Sequence, residues 1–475
     1  MSLVSTPAQP PAYIENRTFD EIAVGDSASV SRTVTRRDVE LFAMISGDVN
    51  PAHLDADYAR NDPFHHIVAH GMLEAGLISN VLGTQLPGPG TIYLSQDLKF
   101  VHPVGLGDTI TATVTVTARE EKHGDLTLAC RCVNQHGLPV ITGTARVRAP
   151  REKIRRPRIE LPELHLSRHR RYRALLAAAE ELPAVATAIA HACDEHALRA
   201  AVDADAAGLI IPLLVGPRPA IEQAAKEAGL DISRFEIIHA EHAPDSARRA
   251  VQLVREGRAA MLMKGALHTD ELLHAVLAHD STLRTERRLS HVYLMDVPRY
   301  PRPLLVTDAA INIAPDLAAK RDIVQNAIDL AHVIGIGWPR VALLSAVETV
   351  NPQLSSTLDA AALCKMAERG QIHGAVLDGP LAFDNAVSPE AAADKGIISP
   401  VAGQADILLV PNLEAGNSLA KQLILLSGAD AAGIVLGARV PIVLTSRADN
   451  ERTRIASCAV GVMLAYRADR APQAA

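Results

Sequence analysis

Asp48 and His53 stand five residues apart in Ser46-Gly-Asp-Val-Asn-Pro-Ala-His-Leu-Asp-Ala-Asp57, a stretch that Gly47, Asn50 and Pro51 make irregular. Irregular backbone lets two side chains converge on one point. A carboxylate and an imidazole together can hold one water, one accepting a proton while the other donates one, which is what adding water across a double bond requires. Both residue types also serve as caps and turn formers, so the pair gains its weight from the neighbouring segment. There His65-His-Ile-Val-Ala-His-Gly-Met72 leads into an apolar run from Gly71 to Leu86. A glycine at the start of that run lets a substrate approach the backbone, and its N–H, with the helix dipole, can polarise a carbonyl or stabilise an enolate oxygen. A thioester carbonyl conjugated to an alkene fits this arrangement. The competing reading is a metal site built from His53, His65, His66 and His70, although no carboxylate–histidine motif of a known metal type accompanies them.

A second group of candidates lies late in the chain. Glu414-Ala-Gly-Asn-Ser-Leu-Ala-Lys421 reads as a helix entry, and Thr445-Ser-Arg-Ala-Asp-Asn450 comes after the apolar strand Pro441 to Leu444. Backbone N–H groups at a helix start and a strand-end Ser-Arg pair can hold an oxyanion. Taken alone, Ser446 is equally an N-cap and Arg447 a surface cation. Neither G-x-x-x-x-G-K-[ST] nor G-x-G-x-x-G occurs in this half, so a phosphate there must be held without a nucleotide-binding loop.

Two kinds of element must position these groups. Strand-like runs at Ser27 to Val34, Thr91 to Val101, Thr109 to Ala118, Leu126 to Val133 and Val140 to Arg148 surround the single buried helix that starts at Gly71. That pattern predicts an α+β unit of about 130 residues, a helix packed on a curved antiparallel sheet. Between Ala149 and Leu166 the chain turns to alternating basic residues and prolines, which reads as a linker, with Arg155, Arg156 and Arg158 as solvated charges or an anion contact. Beyond it, apolar runs alternate with amphipathic helices: Gly208 to Val215, Ala259 to Lys264, Leu304 to Thr307, Arg340 to Ser345, Gly374 to Leu377, Ile407 to Val410 and Gly433 to Leu436. Continuous apolar strands separated by helices predict an α/β unit with a parallel sheet covered on both faces. No internal repeat links the halves, so they read as a fusion.

Composition narrows the function classes. A chain of 475 residues, 48% hydrophobic and 21% charged, has the make-up of a folded globular protein of more than one domain. Its 47 Lys plus Arg against 54 Asp plus Glu give −7, which offers no basic field for nucleic acid. The most apolar late stretch is shorter than the roughly 20 residues a membrane span needs, and the first twenty residues carry no secretory pattern. A cytoplasmic protein without a membrane partner is expected. Five scattered cysteines, an odd number, predict reduced thiols rather than a disulfide framework.

Three motifs together, GDVNPAHLDADYA, VAHGMLEAGLIS and LSQDLKFVHPVGLGDTI, resemble the MaoC-like, R-specific enoyl-CoA hydratases of the hotdog fold, over residues 15–149. The resemblance implies that Asp48 and His53 are the catalytic pair, that Gly71 supplies the oxyanion N–H, and that Ser79 is the helix serine that supports the site, with Asn50 beside the pair as a further substrate-binding candidate. It also implies reversible hydration of trans-2-enoyl-CoA to (R)-3-hydroxyacyl-CoA, and a dimer or larger homo-oligomer. Dehydration of hydroxyacyl carriers uses the same pair in reverse.

Downstream of a linker at 150–167, the runs MLMKGALHTDELL, LSHVYLMDVP, LLVTDAAINIAPDLAAKRDIVQNAI, DAAALCKMAERGQIHGAVLDGPLAFDNAVS, KGIISPVAGQADILLVPNLEAGNSLAKQL and VLTSRAD resemble the phosphotransacylases, nearer the butyryl than the acetyl type, over residues 168–468. This implies a two-subdomain α/β domain catalysing acyl-CoA plus phosphate to acyl phosphate plus CoA. Ser446 and Arg447 would hold phosphate and the reacting carbonyl, and Asp308, Asn312, Asp384, Glu414, Asn417 and Asp449 would line the site. Thr453 stands where acetyl-type relatives place the proposed base for the CoA thiol, which leaves Asp449 as the candidate. His274 replaces an arginine of the family pattern, with Arg284 as the compensating cation. Partners are then acyl-CoA, CoA, phosphate and acyl phosphate as substrates, with no separate cofactor and no metal. The rival reading keeps the fold and makes the second half an acyl-CoA sensor attached to an active hydratase.

Overall fold

The computed structural model describes residues 13–159, 169–444 and 449–468, and the chain divides between Glu163 and Leu164 into two compact units. Among the described residues no helix is long and apolar enough to cross a membrane. All five cysteines are free.

The first unit runs β1 (Tyr13–Glu15), β2 (Ser27–Thr33), α1 (Arg36–Ser46), α2 (Pro51–Leu54), α3 (Ala56–Asn61), α4 (Gly71–Thr84), β3 (Ile92–Phe100), β4 (Thr109–Glu120), β5 (Asp125–Val133), β6 (Pro139–Arg148) and β7 (Arg155–Pro157). Five of these strands form an antiparallel sheet in the order β2-β4-β5-β6-β3. In β4, Ile110, Ala112, Val114 and Val116 are buried and alternate with threonines, the period of two that turns one sheet face to a core. Helix α4 lays Ala75, Ile78, Val81 and Leu82 into the same core at helical spacing. Burying each of the larger three contributes about 1.5–3 kcal/mol. This is the hotdog arrangement, and all five predicted strands are present.

Residues 155–157 correct one expectation. The run read as linker contains β7, which pairs antiparallel with β1, matching Ile14 to Arg156. Lys153 bonds Glu21, and the Arg155 guanidinium lies 4.6 Å from the Tyr13 ring centroid, so this basic stretch is anchored to the first unit. Alternating charge and proline hid a strand whose partner lies some 140 residues earlier.

Gly143 shows how tightly the sheet edge is built. Beside it runs β3, and a Cβ at Gly143 would overlap the carbonyl oxygen of Asp97 and come within 3.0 Å of Leu98 Cα. Backbone cannot yield as a side chain can, so Gly143→Ala should force β3 from β6 and cost about 1–3 kcal/mol. A thermal melt of the full chain reads this as a lowered first transition, with the second unit's transition unmoved.

The second unit holds an eleven-stranded sheet. Its strands are β8 (Val185–Ala190), β9 (Ile210–Gly216), β10 (Glu236–His239), β11 (Met261–Lys264), β12 (Ser290–Asp296), β13 (Leu304–Thr307), β14 (Arg340–Leu344), β15 (Val376–Leu381), β16 (Ile407–Leu409), β17 (Asp430–Leu436) and β18 (Ile442–Val443). Their order is β10-β9-β8-β11-β18-β17-β12-β13-β16-β14-β15. Pairing is parallel from β10 to β18 and again from β13 to β15. At the junction β17 and β12 pair antiparallel with their neighbours. The α/β class holds, as two parallel blocks of one mixed sheet. Central β17 is buried along almost its whole length, and the helix Leu317–Val333 covers the sheet with Ile323, Val324, Ala327 and Ile328.

Candidate active sites

Local chemistry explains why Asp48 sits in a loop. Thr35 caps α1 in a capping box with Asp38, and Gly47 ends that helix at φ 74°, where a side chain would be strained. Three residues later Asn50 caps α2, its Oδ1 accepting from Ala52 N–H, with Pro51 in the first turn. The loop between two helices therefore holds Asp48, and α2 carries His53. Asn50 N–H donates to Asp48 Oδ1 at 3.2 Å and orients the carboxylate. Asn50 thus acts on Asp48 through its backbone, while its side-chain oxygen is engaged as a cap.

Two histidines complete the group. His53 Nδ1 lies 2.8 Å from the Val68 carbonyl oxygen, which can only accept, so Nδ1 carries the proton and Nε2 is left as an acceptor. His70 Nε2 lies 3.0 Å from the Asp48 carbonyl oxygen, so by the same reasoning His70 Nδ1 is the acceptor; it is buried without a partner among the described residues. The two rings lie 3.9 Å apart. One donor atom from each of Asp48, His53 and His70 falls within 4.8 Å of the others, close enough to share a water or an ion. His65 and His66 do not join them. Both are exposed, His65 facing the Arg60 carbonyl and His66 packed beside Gly105, so the four-histidine alternative does not assemble.

Beside this group lies a cleft of about 570 Å³, lined by His53, Gly71, Met72, Phe100, Val140 and Ile141 among others. Gly71 is the first residue of α4, and no carbonyl among the described residues accepts from its N–H, as the first turn of a helix allows. A Cβ on Gly71 would lie 2.9 Å from two atoms of the Phe100 ring, so glycine keeps the cleft open there. Ser79 is not brought in: it is exposed two turns further along α4 and does not line the cleft. Reading the sequence also passed over Glu74, which lines the cleft at 2% exposure and whose carboxyl burial pushes up to about 7. Its signal was a lone charge inside the apolar run Gly-Met-Leu-Glu-Ala-Gly-Leu.

In the second unit, Asp308 comes directly after β13 and is buried. Its Oδ1 accepts from the N–H groups of Ala310 and Ile311, and its Oδ2 from the backbone and side-chain amides of Asn312. Asn312 in turn accepts from Arg288 Nε at 2.6 Å and donates to the Leu289 carbonyl at 2.8 Å. Asn417 donates to the Ala309 carbonyl at 3.1 Å, and Gly416 lets the helix Leu413–Leu425 press against the Asp308 backbone. Asp308, Asn312 and Arg288 therefore form one hydrogen-bonded network, and Asn417 holds the backbone next to it. Glu414 is exposed in the first turn of that helix and makes no hydrogen bond to the network among the described residues. Asp384 stands apart in an ion-pair cluster, 3.2 Å from Lys395, which also holds Glu348.

The network borders a cleft of about 510 Å³ whose wall includes Arg284, Arg287, Arg288 and Asn312. Arg287 pairs with Asp329, whereas Arg284 is exposed without an acidic partner among the described residues. His274 is exposed on the neighbouring helix Thr269–Leu277. His291, on β12, is fully buried with neither ring nitrogen hydrogen-bonded among the described residues, and burial against the pull of Asp308 drives it down to about 4. It is neutral at neutral pH. Its ring meets Tyr293 edge-on at 4.4 Å, and burial together with the nearby Asp449 pushes Tyr293 up to about 12. Thr453 is buried in the helix Glu451–Ala468, its N–H bonded to Asn450. Ser446 and Arg447 lie outside the described residues. Arg288 and His291 were missed because only the fold brings them to Asp308.

Comparison with known proteins bears on both units. Residues 243–462 match the family described as "Phosphate acetyl/butaryl transferase", and residues 23–129 match the "MaoC like domain". A phosphate acetyltransferase of Rhizobium meliloti is 62% identical over 306 residues, which cover 64% of this chain and 96% of that protein. The chain belongs to the phosphate acetyl/butyryl transferase family. It is also similar to the phosphate butyryltransferase of Clostridium acetobutylicum, at 44% identity over 60% of this chain and 94% of that protein. The crystal structure of a branched-chain phosphotransacylase from Enterococcus faecalis V583 superposes with a TM-score of 0.53 at 32% identity, covering 59% of this chain and 99% of that one. This family member thus carries a MaoC-like hotdog domain in the same chain as its transferase domain.

Proposed function

We propose that the chain is a bifunctional enzyme of CoA esters. Its first unit, 15–149, hydrates trans-2-enoyl-CoA to (R)-3-hydroxyacyl-CoA, and its second, 168–468, exchanges an acyl group between CoA and phosphate. The observation that carries the first activity is the convergence of Asp48, His53 and His70 beside a cleft that contains the first N–H of α4. One water held between the Asp48 carboxylate and His53 Nε2 gives its oxygen to C3. Its proton goes to that pair, and a proton returns from the pair to C2. The enolate charge that develops on the thioester oxygen meets the Gly71 N–H and the helix dipole.

The second activity is supported by family membership and by the arginine-lined cleft over the Asp308 network. Phosphate attacks the thioester carbonyl, and CoA leaves as thiolate. Arg288, fixed through Asn312, and Arg284 are placed to meet phosphate charge, with Ser446 and Arg447 assigned the reacting groups from sequence. Asp449 is the base for the CoA thiol in the reverse direction. Both reactions take their CoA esters and phosphate as substrates, with no further cofactor, in the cytoplasm. Strand β3 is an edge strand with Ile92 and Phe100 more than half exposed, the kind of surface that pairing with a second copy would cover.

The deciding experiment measures CoA release from acetyl-, propionyl- and butyryl-CoA with and without phosphate, beside hydration of crotonyl-CoA on the same sample. Phosphate-dependent release together with hydration is expected. Hydration without release would make the second unit a sensor. Ser446→Ala should lower phosphate-dependent release at least about 100-fold and leave hydration unchanged.

A further inference from the structure

The steps of hydration fall to Asp48, His53 and Gly71, and His70 takes no part in them although it meets all three. Asp48 lies in an exposed loop, where its N–H donates to Ser46 Oγ and its Oδ1 accepts from Asn50 N–H, each only two residues away. The one hydrogen bond that reaches Asp48 from outside this loop, among the described residues, is His70 Nε2–H, which donates to its carbonyl from 22 positions along the chain at 3.0 Å. His53 is tied to the same stretch through the Val68 carbonyl. That stretch is itself fixed, Val68 by a bridge to Gly105 and Ala69 by its N–H to the Val104 carbonyl at 2.8 Å. Residues 68–70 therefore set both side chains against the first N–H of α4, which belongs to the peptide joining His70 to Gly71.

The His70 ring is held on two sides. It is 2% exposed, with its centroid 3.9 Å from that of His53 and 5.0 Å from that of Phe42, and α1, which carries Phe42, runs on into the Asp48 loop. Packing alone does not call for a histidine here. Nδ1 is buried with no partner among the described residues, and an apolar side chain would fill the place without that unmet acceptor. What the histidine adds is the Nε2–H. We propose that His70 is a positioning residue of the hydratase site, its Nε2 hydrogen bond holding Asp48 against His53 and the Gly71 N–H. This rests on the hydratase reading of the first unit. Misplacing a reacting group by roughly an ångström costs about 100-fold in rate. The loss belongs to turnover rather than to thioester binding, because His70 does not line the cleft.

The test measures kcat and KM for crotonyl-CoA in the full chain, in His70→Phe, in His70→Gln and in Asp48→Asn with and without His70→Phe. Phosphate-dependent CoA release and a thermal melt serve as folding controls. His70→Phe keeps a ring between Phe42 and His53 and loses the donor, whereas His70→Gln loses the ring and keeps an N–H as many bonds from the backbone as Nε2. His70→Leu replaces His70→Phe if the larger ring unfolds the first unit. The variant without a donor should lose roughly 30- to 100-fold in kcat with KM within about threefold of the unmutated chain. His70→Gln should recover at least about fivefold of that loss, and in Asp48→Asn the same His70 change should cost less than about threefold, since the carboxylate it serves is gone. An unchanged kcat without the donor, no recovery in His70→Gln, or an undiminished further loss in Asp48→Asn would each overturn the proposal and leave Asp48 and His53 in their roles. If the unmutated chain does not hydrate crotonyl-CoA, the hydratase reading itself fails and this inference with it.

Discussion

Asp48→Asn and His53→Ala should each lower the hydration of crotonyl-CoA by about 10²–10⁴-fold, the usual weight of a positioned acid or base, with phosphate-dependent CoA release unchanged. Asp48→Asn is the sharper probe because it preserves the scaffold. An amide oxygen can still accept from Asn50 N–H, and the backbone carbonyl of residue 48 still faces His70 Nε2, so the loop keeps its shape while the carboxylate is lost. His53→Ala removes the Nε2 acceptor whose availability the Val68 carbonyl enforces. Loss of enoyl-thioester absorbance tracks the first activity, and a thiol reagent tracks the second on the same preparation. The two units have separate hydrophobic cores, so a defect confined to one supports the assignment. Hydration at the unmutated rate in both variants would remove Asp48 and His53 from the chemistry.

Legibility in the sequence depended on the range of the interactions. Asp48, His53 and Gly71 were readable because their placement is decided locally: Gly47 stops one helix, Asn50 and Pro51 start the next, and an apolar run announces α4. Strand β4 was equally plain, since its alternation is complete within twelve residues. What escaped was set by partners distant in sequence. Arg288 matters through Asn312, twenty-four residues later, and β7 exists because β1 pairs with it. Ser79 failed in the opposite way: its place in a family pattern suggested a supporting role, yet helical geometry carries it two turns beyond Gly71 and out to solvent. Asp384 likewise matched a pattern and is held by Lys395 instead.

Asp308→Asn should lower phosphate-dependent CoA release by about 100-fold, the cost of misplacing a binding group by roughly an ångström, while hydration stays intact. The Asp308 carboxylate accepts four hydrogen bonds, two at each oxygen. An asparagine can keep Oδ1 for Ala310 and Ile311, but its NH₂ then faces the two amide donors of Asn312, donor against donor. Asn312 must turn away, and Arg288 loses the oxygen that fixes its Nε. The functional loss is thus predicted to pass through Arg288 and to fall on the KM for phosphate or CoA more than on overall fold. Arg288→Ala should show the same KM signature. Because the two residues act through one chain of hydrogen bonds, the double variant should lose little more than the worse single one, a coupling that independent sites do not show. Losses that add in the double variant, or an Asp308→Asn enzyme with unchanged KM values, would detach Asp308 from the arginine-lined cleft and leave it a residue of the turn after β13.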